Sequence, residues 1–100
     1  MKIKAEFEES LVRLFGSTSR ARILALLYAN IGKSFYQREV MFETGLSLQA
    51  TQRELNNLVT LGILNKKETY NSVYYEINPD SPYFLPLRTI FTLSPRHPTS

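Results

Sequence analysis

The first third of the chain has hydrophobic residues at every third or fourth position, which is the spacing of one helical face. Residues 5–15 and 19–30 both show this pattern. The second segment is apolar over much of its circumference, as expected of a helix at the centre of a small domain. Ser17, Thr18 and Ser19 are its possible N-caps, and Gly32 follows its end. The apolar residues of the two predicted helices are Ile3, Phe7, Leu11, Leu14 and Phe15, then Ile23, Leu24, Leu26, Leu27 and Tyr28.

Residues 35–64 have the pattern of a short helix, a turn and a longer amphipathic helix. Gly45 marks the turn, because glycine adopts the positive φ that redirects the chain sharply. Ser47 follows as the expected N-cap of the longer helix. The predicted buried stripe of that helix is Leu48, Thr51, Leu55, Leu58, Val59 and Gly62. This arrangement is the outline of a helix-turn-helix, whose second helix enters the major groove of DNA.

The opposite face of the longer helix is polar and carries Gln49, Gln52, Arg53 and Asn56, with Glu54 as the one acid among them. Arginine pairs with guanine through two hydrogen bonds, and glutamine or asparagine pairs with adenine. These four residues are therefore the predicted base readers. The alternative is an ordinary solvated helix face.

Residues 63–69 and 73–78 are predicted to form two strands, because apolar and polar residues alternate along the second of them. Asn71 is expected to supply the turn, since its short polar side chain tolerates a left-handed backbone. Residues 34–36 could form a short strand that joins this sheet. A hairpin in this position is a wing that contacts sugar and phosphate, or else an edge hairpin with solubilising lysines. The residues expected to cluster on the hairpin and its tip are Lys66, Lys67, Tyr70 and Asn71.

Residues 82–93 contain Pro82 and Pro86, which do not both fit inside one regular helix. We expect a turn through Tyr83 and Phe84, followed by a short helix with Pro86 at its first position. The apolar face of this helix carries Phe84, Leu87, Ile90 and Phe91. Together with the first helix it would form either a dimer surface or a packing contact within one chain.

The sequence resembles winged helix-turn-helix regulators of the ArsR-like type, and within them a subgroup often found beside or fused to nucleotidyltransferase-like domains. The resemblance covers residues 14–91. The segments that carry it are Leu14-Phe15-Gly16-Ser17, Arg20-Ala21-Arg22-Ile23-Leu24, Phe35-Tyr36-Gln37-Arg38-Glu39-Val40, Gly45-Leu46-Ser47, Arg53-Glu54-Leu55, Leu58, Gly62-Ile63-Leu64, Val73-Tyr74-Tyr75, Asn78-Pro79-Asp80-Ser81-Pro82, Phe84 and Leu87-Arg88.

The resemblance implies a DNA-binding transcriptional regulator, often dimeric. The simplest mechanism for such a regulator would be repression by blocking promoter access. It places Gln37 and Arg38 at the DNA backbone, where the charge of Arg38 and a helix N-terminus could both meet a phosphate. The complete predicted DNA-contacting set is Gln37, Arg38, Ser47, Gln49, Gln52, Arg53, Asn56, Lys66, Lys67, Tyr70 and Asn71. Pattern and resemblance together predict a mainly α fold with a small β wing, in the order α-α-β-α-α-β-β-α. It would form one domain over residues 1–93, followed by a flexible tail at 94–100.

Composition agrees with one small intracellular domain. One hundred residues at 43% hydrophobic are enough for a single modest core. The absence of cysteine excludes disulfides and thiolate metal sites, and the cytoplasm is the expected compartment. The sequence has no apolar run of membrane-spanning length, and its first ten residues do not have the pattern of a signal peptide. The net charge of +3 is only mildly basic for a nucleic-acid-binding protein, although residues 11–38 hold five basic residues and no acid.

The sequence does not contain the combinations of residues that a catalytic site would need. Gly16-Ser17 resembles the Gly-Ser pair with which nucleotidyltransferases bind phosphate. Those enzymes also need two neighbouring carboxylates that bind metal ions. The sequence has no such aspartate pair, since Asp80 is its only aspartate. We interpret Gly16-Ser17 as a helix break and an N-cap. The only histidine, His97, falls in the predicted tail, so no general base, metal site or cofactor site is predicted.

Two classes of binding function therefore remain for the sequence. The preferred one is sequence-specific binding of double-stranded DNA by a homodimer that forms through the first and last helices. The alternative is a winged-helix protein-interaction module, for instance an adaptor for a separate nucleotidyltransferase-like partner, and the nearly neutral wing favours it. RNA binding is disfavoured, because the sequence does not provide the exposed aromatic platform on which the bases of a single strand would stack.

Overall fold

A computed structural model describes residues 5–93 and confirms the winged-helix fold. Five helices and one β hairpin follow one another in the order α-α-α-α-β-β-α. Their bounds are α1 Ala5–Phe15, α2 Thr18–Tyr28, α3 Gln37–Thr44, α4 Leu48–Thr60, β1 Leu64–Glu68, β2 Val73–Ile77 and α5 Phe84–Phe91. The expected packing of Ile3 and the expected flexible tail at 94–100 lie outside the described residues.

Helix α2 lies at the centre of the domain, as its apolar circumference predicted. It begins after Ser17, whose Oγ accepts a hydrogen bond from the backbone N–H of Arg20 at 3.0 Å. It packs against α1, α3, α4, α5 and β2. The buried core around it is Ile23, Leu24, Leu26, Leu27, Tyr28, Phe35, Val40, Leu55, Leu58, Ile63, Leu64, Tyr75, Ile77 and Leu87.

The turn between α3 and α4 has the predicted geometry. Gly45 has a φ of 72° and ends α3, and its N–H donates to the carbonyl of Met41 at 2.8 Å. Ser47 caps α4 by accepting the N–H of Ala50 at 3.1 Å. The predicted stripe of α4 is wrong at Leu48, whose side chain is 49% exposed. Leu48 is the first helical residue, so its side chain points back beyond the packed end of the helix.

The hairpin is antiparallel and pairs Leu64 with Ile77 and Glu68 with Val73. The strand expected at residues 34–36 is reduced to one bridge, in which Phe35 exchanges two backbone hydrogen bonds with Tyr75 at 2.8 and 2.9 Å. It goes no further because α3 begins two residues later.

The expectation of a left-handed Asn71 is wrong. In residues 5–93 every residue with a positive φ is a glycine. The turn is closed instead by the N–H of Thr69, which donates to the carbonyl of Ser72 at 2.8 Å. This hydrogen bond closes the hairpin without a left-handed residue at its tip.

Helix α5 begins at Phe84, two residues earlier than predicted, and Pro86 is its third residue. The position is tolerated because the first N–H groups of a helix have no partner within the helix. The ring of Phe91 stacks on Phe15 and Tyr28, with centroids 5.6 and 5.8 Å apart. The terminal helices therefore contact each other within one chain. None of the described helices has the length and apolar character needed to cross a bilayer.

Candidate nucleic-acid interface

The outer face of α4 carries the four predicted base readers. Gln49, Gln52, Arg53 and Asn56 are all exposed. Their spacing of three, four and seven residues places them on one side of the helix. Within the described part of the chain, none of the four side chains takes part in a hydrogen bond or an ion pair. Their donors and acceptors are therefore available to an external partner.

Glu54 does not belong to this face, contrary to the sequence-based expectation. It is 5% exposed, and its carboxylate accepts hydrogen bonds from Arg20 Nε at 2.6 Å and Arg20 Nη2 at 3.4 Å. The spacing of Thr51, Glu54, Leu55 and Leu58 on one helical stripe was the signal that could have placed it there. As a result, the exposed face of α4 presents no acid among the base readers.

A second arginine of α2, Arg22, contacts both α1 and the C-terminal end of α3. Arg22 donates from Nε to Glu8 Oε2 at 2.7 Å and from Nη1 to the carbonyl oxygen of Thr44 at 3.3 Å. Thr44 is the last residue of α3, so this side chain joins α1 to the turn of the helix-turn-helix. Arg20 and Arg22 thus both make contacts within the fold.

The N-terminus of α3 is joined to the wing by two tyrosines whose contact was not predicted from the sequence. The hydroxyl oxygens of Tyr36 and Tyr74 are 3.0 Å apart, and this hydrogen bond is the main reason that the pKa of Tyr74 lies above its usual 10.0. The Arg38 guanidinium lies 4.5 Å from the centroid of the Tyr36 ring. Arg38 is exposed and Gln37 is partly buried.

An open cleft of about 230 Å³ separates this helix end from the wing tip. It is lined by Tyr36, Gln37, Arg38, Asn71, Ser72 and Val73. The structure therefore brings together three residues that were predicted to contact the DNA backbone from different parts of the sequence.

The lysines of the wing are exposed but already paired with carboxylates. Lys67 Nζ lies 2.9 Å from Glu76 Oε2, and Lys66 Nζ lies 3.5 Å from Glu68 Oε2. A hydrogen bond from Ser34 and the contact with Lys67 hold the pKa of Glu76 below its usual 4.5. Tyr70 is fully exposed at the tip. The positive charge of the wing is thus largely neutralised by its own strands.

No protein-family model matches the chain, and a search of curated proteins gave no significant match. Among solved structures, the chain is similar to Sso10a-2, a DNA-binding protein from Sulfolobus solfataricus. The TM-score is 0.55, and the sequences are 26% identical over an alignment that covers 70% of each chain. This similarity supports the winged-helix fold. The ArsR-like assignment stays a prediction.

Proposed function

We propose that the protein is a transcriptional regulator of the ArsR-like type that binds double-stranded DNA sequence-specifically. Helix α4 would enter the major groove and the wing would lie on the backbone. The observation that carries this proposal is the exposed face of α4, which presents Gln49, Gln52, Arg53 and Asn56 with no acid among them. These side chains match the donor and acceptor patterns of base edges. The similarity to a DNA-binding protein supports DNA as the partner.

The cleft between α3 and the wing supports a contact with the DNA backbone. Gln37, Arg38 and Asn71 line it, and all three side chains can donate hydrogen bonds to phosphate oxygens. Arg38 has no carboxylate partner among the described residues, so its charge is available. Docking of a phosphate there would fix the register of α4 in the groove. Repression by blocking promoter access would then require no further site.

The proposal includes a homodimer formed through α1 and α5. Leu14 near the end of α1 and Leu93 just after α5 are 63% and 56% exposed, although Phe15 and Phe91 beside them already stack on each other. A second copy of the chain would cover the exposed leucines. The two α4 helices would then address half-sites about 34 Å apart. Sedimentation equilibrium of the wild type and Leu14→Glu tests this, and a wild-type monomer at all concentrations would remove the dimer.

A second candidate is a winged-helix module that binds another protein. The ion-paired lysines of the wing favour it, as does Phe42, which is 85% exposed beside an open groove of about 460 Å³. A contact of this kind would depend little on salt, whereas phosphate contacts release counterions and weaken steeply as salt rises.

Selection from a pool of random duplexes tests the main proposal and requires no candidate operator. The enriched duplex and a shuffled duplex of identical composition are then titrated by fluorescence anisotropy at two salt concentrations. We expect tight, salt-sensitive binding that prefers the selected duplex. If no sequence is enriched and no duplex binds at low salt, the protein-interaction module becomes the better explanation.

A further inference from the structure

Helix α4 contains one buried charge, and that charge is paired across the domain. Glu54 lies between the exposed Arg53 and the buried Leu55, and its side chain is 6% exposed. Arg20 reaches it from the N-terminal turn of α2 and donates two hydrogen bonds to its two oxygens. Paired donation of this type fixes orientation as well as distance, because the guanidinium and the carboxylate must lie nearly in one plane.

The pair restrains the rotation of α4 about its own axis. A buried carboxylate without a partner is strongly unfavourable, so Glu54 either stays on Arg20 or turns towards water. If the helix itself turns to bring Glu54 outward, Arg53 and the other base readers rotate by the same angle, since they share one helix. A rotation of about 20° displaces a side-chain tip at a radius of about 6 Å by roughly 2 Å. Hydrogen bonds to base edges do not survive a displacement of that size.

We propose that Arg20 and Glu54 are positioning residues for sequence reading: their ion pair sets the rotation of α4 on α2 and so aligns the base readers with the groove. This inference rests on the proposed function. The pair has a second effect, because it holds the only acid of residues 48–60 away from the face that would meet DNA. Neither residue touches DNA in this arrangement.

The test compares three variants with the wild type on the selected and shuffled duplexes. Arg20→Met removes the charge and keeps most of the side-chain length, whereas Glu54→Ala removes the carboxylate. Glu54→Gln keeps an oxygen that accepts from Arg20. The matched control is Arg13→Ala, which removes an exposed arginine and its pair with Glu9 on α1. Affinities are measured well below each variant's melting temperature, together with the salt dependence of binding.

A positioning role predicts a loss of discrimination. In Arg20→Met and Glu54→Ala, the ratio of affinities for the selected and shuffled duplexes should fall by roughly three- to thirtyfold. The salt slope should stay the same, because no phosphate contact is lost. Glu54→Gln should keep the ratio within about threefold, and Arg13→Ala should leave it unchanged.

Other outcomes overturn the inference. An equal loss on both duplexes with a flatter salt slope in Arg20→Met would make Arg20 a phosphate contact. An unchanged ratio in Arg20→Met and Glu54→Ala, with only a lower melting temperature, would leave the pair a purely structural role. If Arg20→Met does not fold, Glu54→Ala and Glu54→Gln give the same comparison. A wild type that shows no preference between duplexes would instead overturn the proposed function itself.

Discussion

Tyr36 and Tyr74 join the helix-turn-helix to the wing: their hydroxyl oxygens are 3.0 Å apart and their ring centroids 4.6 Å apart. Tyr36 directly precedes α3, and Tyr74 lies on β2. The cleft proposed to hold a phosphate has one wall on each of these elements. Its width therefore depends on the tyrosine pair.

Removing either hydroxyl tests this connection. Tyr36→Phe and Tyr74→Phe should each lower the free energy of unfolding by a similar amount, and the double variant should be no less stable than either single variant. Both single variants should also weaken binding to every duplex. Urea denaturation and anisotropy measure the two effects, and Tyr83→Phe, at a half-exposed tyrosine outside the cleft, is the control. Additive losses in the double variant would show that the two hydroxyls act independently.

Arg53 is predicted to read one base pair. Arg53→Ala should lower affinity for the selected duplex by about 1 to 3 kcal/mol and relax the preference at one position. Its exposure predicts little change in folding stability. Anisotropy with duplexes substituted at each position checks this against Arg13→Ala, which carries the same loss of charge. An unchanged preference at every position would remove Arg53 from the base readers.

The ion pairs of the wing predict that one substitution increases the affinity for DNA. Glu68→Gln releases Lys66 from its carboxylate, so it should strengthen binding to all duplexes alike and steepen the salt slope by up to about 0.9. Lys66→Ala combined with Lys67→Ala should weaken binding to all duplexes and flatten that slope. Full affinity in the double lysine variant would mean that the wing lysines do not contact the DNA.

Tyr28 predicts a stability effect that is separate from binding. Its hydroxyl is buried without a hydrogen-bond partner among the described residues, and burial raises its pKa to about 12. Since the folded pKa exceeds the usual 10.0, its contribution to stability is complete below pH 10 and is lost as pH rises through about 12.

Tyr28→Phe should therefore equal or exceed the wild type in stability at neutral pH and lack this alkaline loss. Denaturation curves at neutral pH and between pH 10 and 12 give the comparison. A clearly less stable Tyr28→Phe at neutral pH would show that the hydroxyl has a partner after all.

The local features of the helix-turn-helix were predictable because they depend on residues close in sequence. Gly45 and Ser47 end one helix and begin the next through contacts within four residues, and both predictions are confirmed. Glu54 was misplaced because its partner, Arg20, lies 34 residues away. A carboxylate looks solvent-facing until the cation opposite it is known, although the buried stripe of Thr51, Leu55 and Leu58 was a local sign of its burial.

Interactions between residues far apart in sequence also explain the other differences between the predictions and the structure. The tyrosine pair between α3 and β2 joins residues 38 positions apart, and no periodicity in the sequence indicates it. The pairing of Lys67 with Glu76 likewise depends on strand register, which alternation alone does not fix. The composition of the outer face of α4 and the low net charge of the wing were predictable, whereas the ion pairs that hold Glu54 and the wing lysines were not.

The central position of α2 has a consequence for how the protein unfolds. Since α1, α3, α4, α5 and β2 all pack on this one helix, each of them loses a packing partner when α2 melts. The fold should therefore lose its helices and its hairpin in one cooperative step, with no stable remnant of the helix-turn-helix. We therefore expect α4 to be unfolded as an isolated fragment, and the proposed DNA binding should be lost at the midpoint of thermal denaturation.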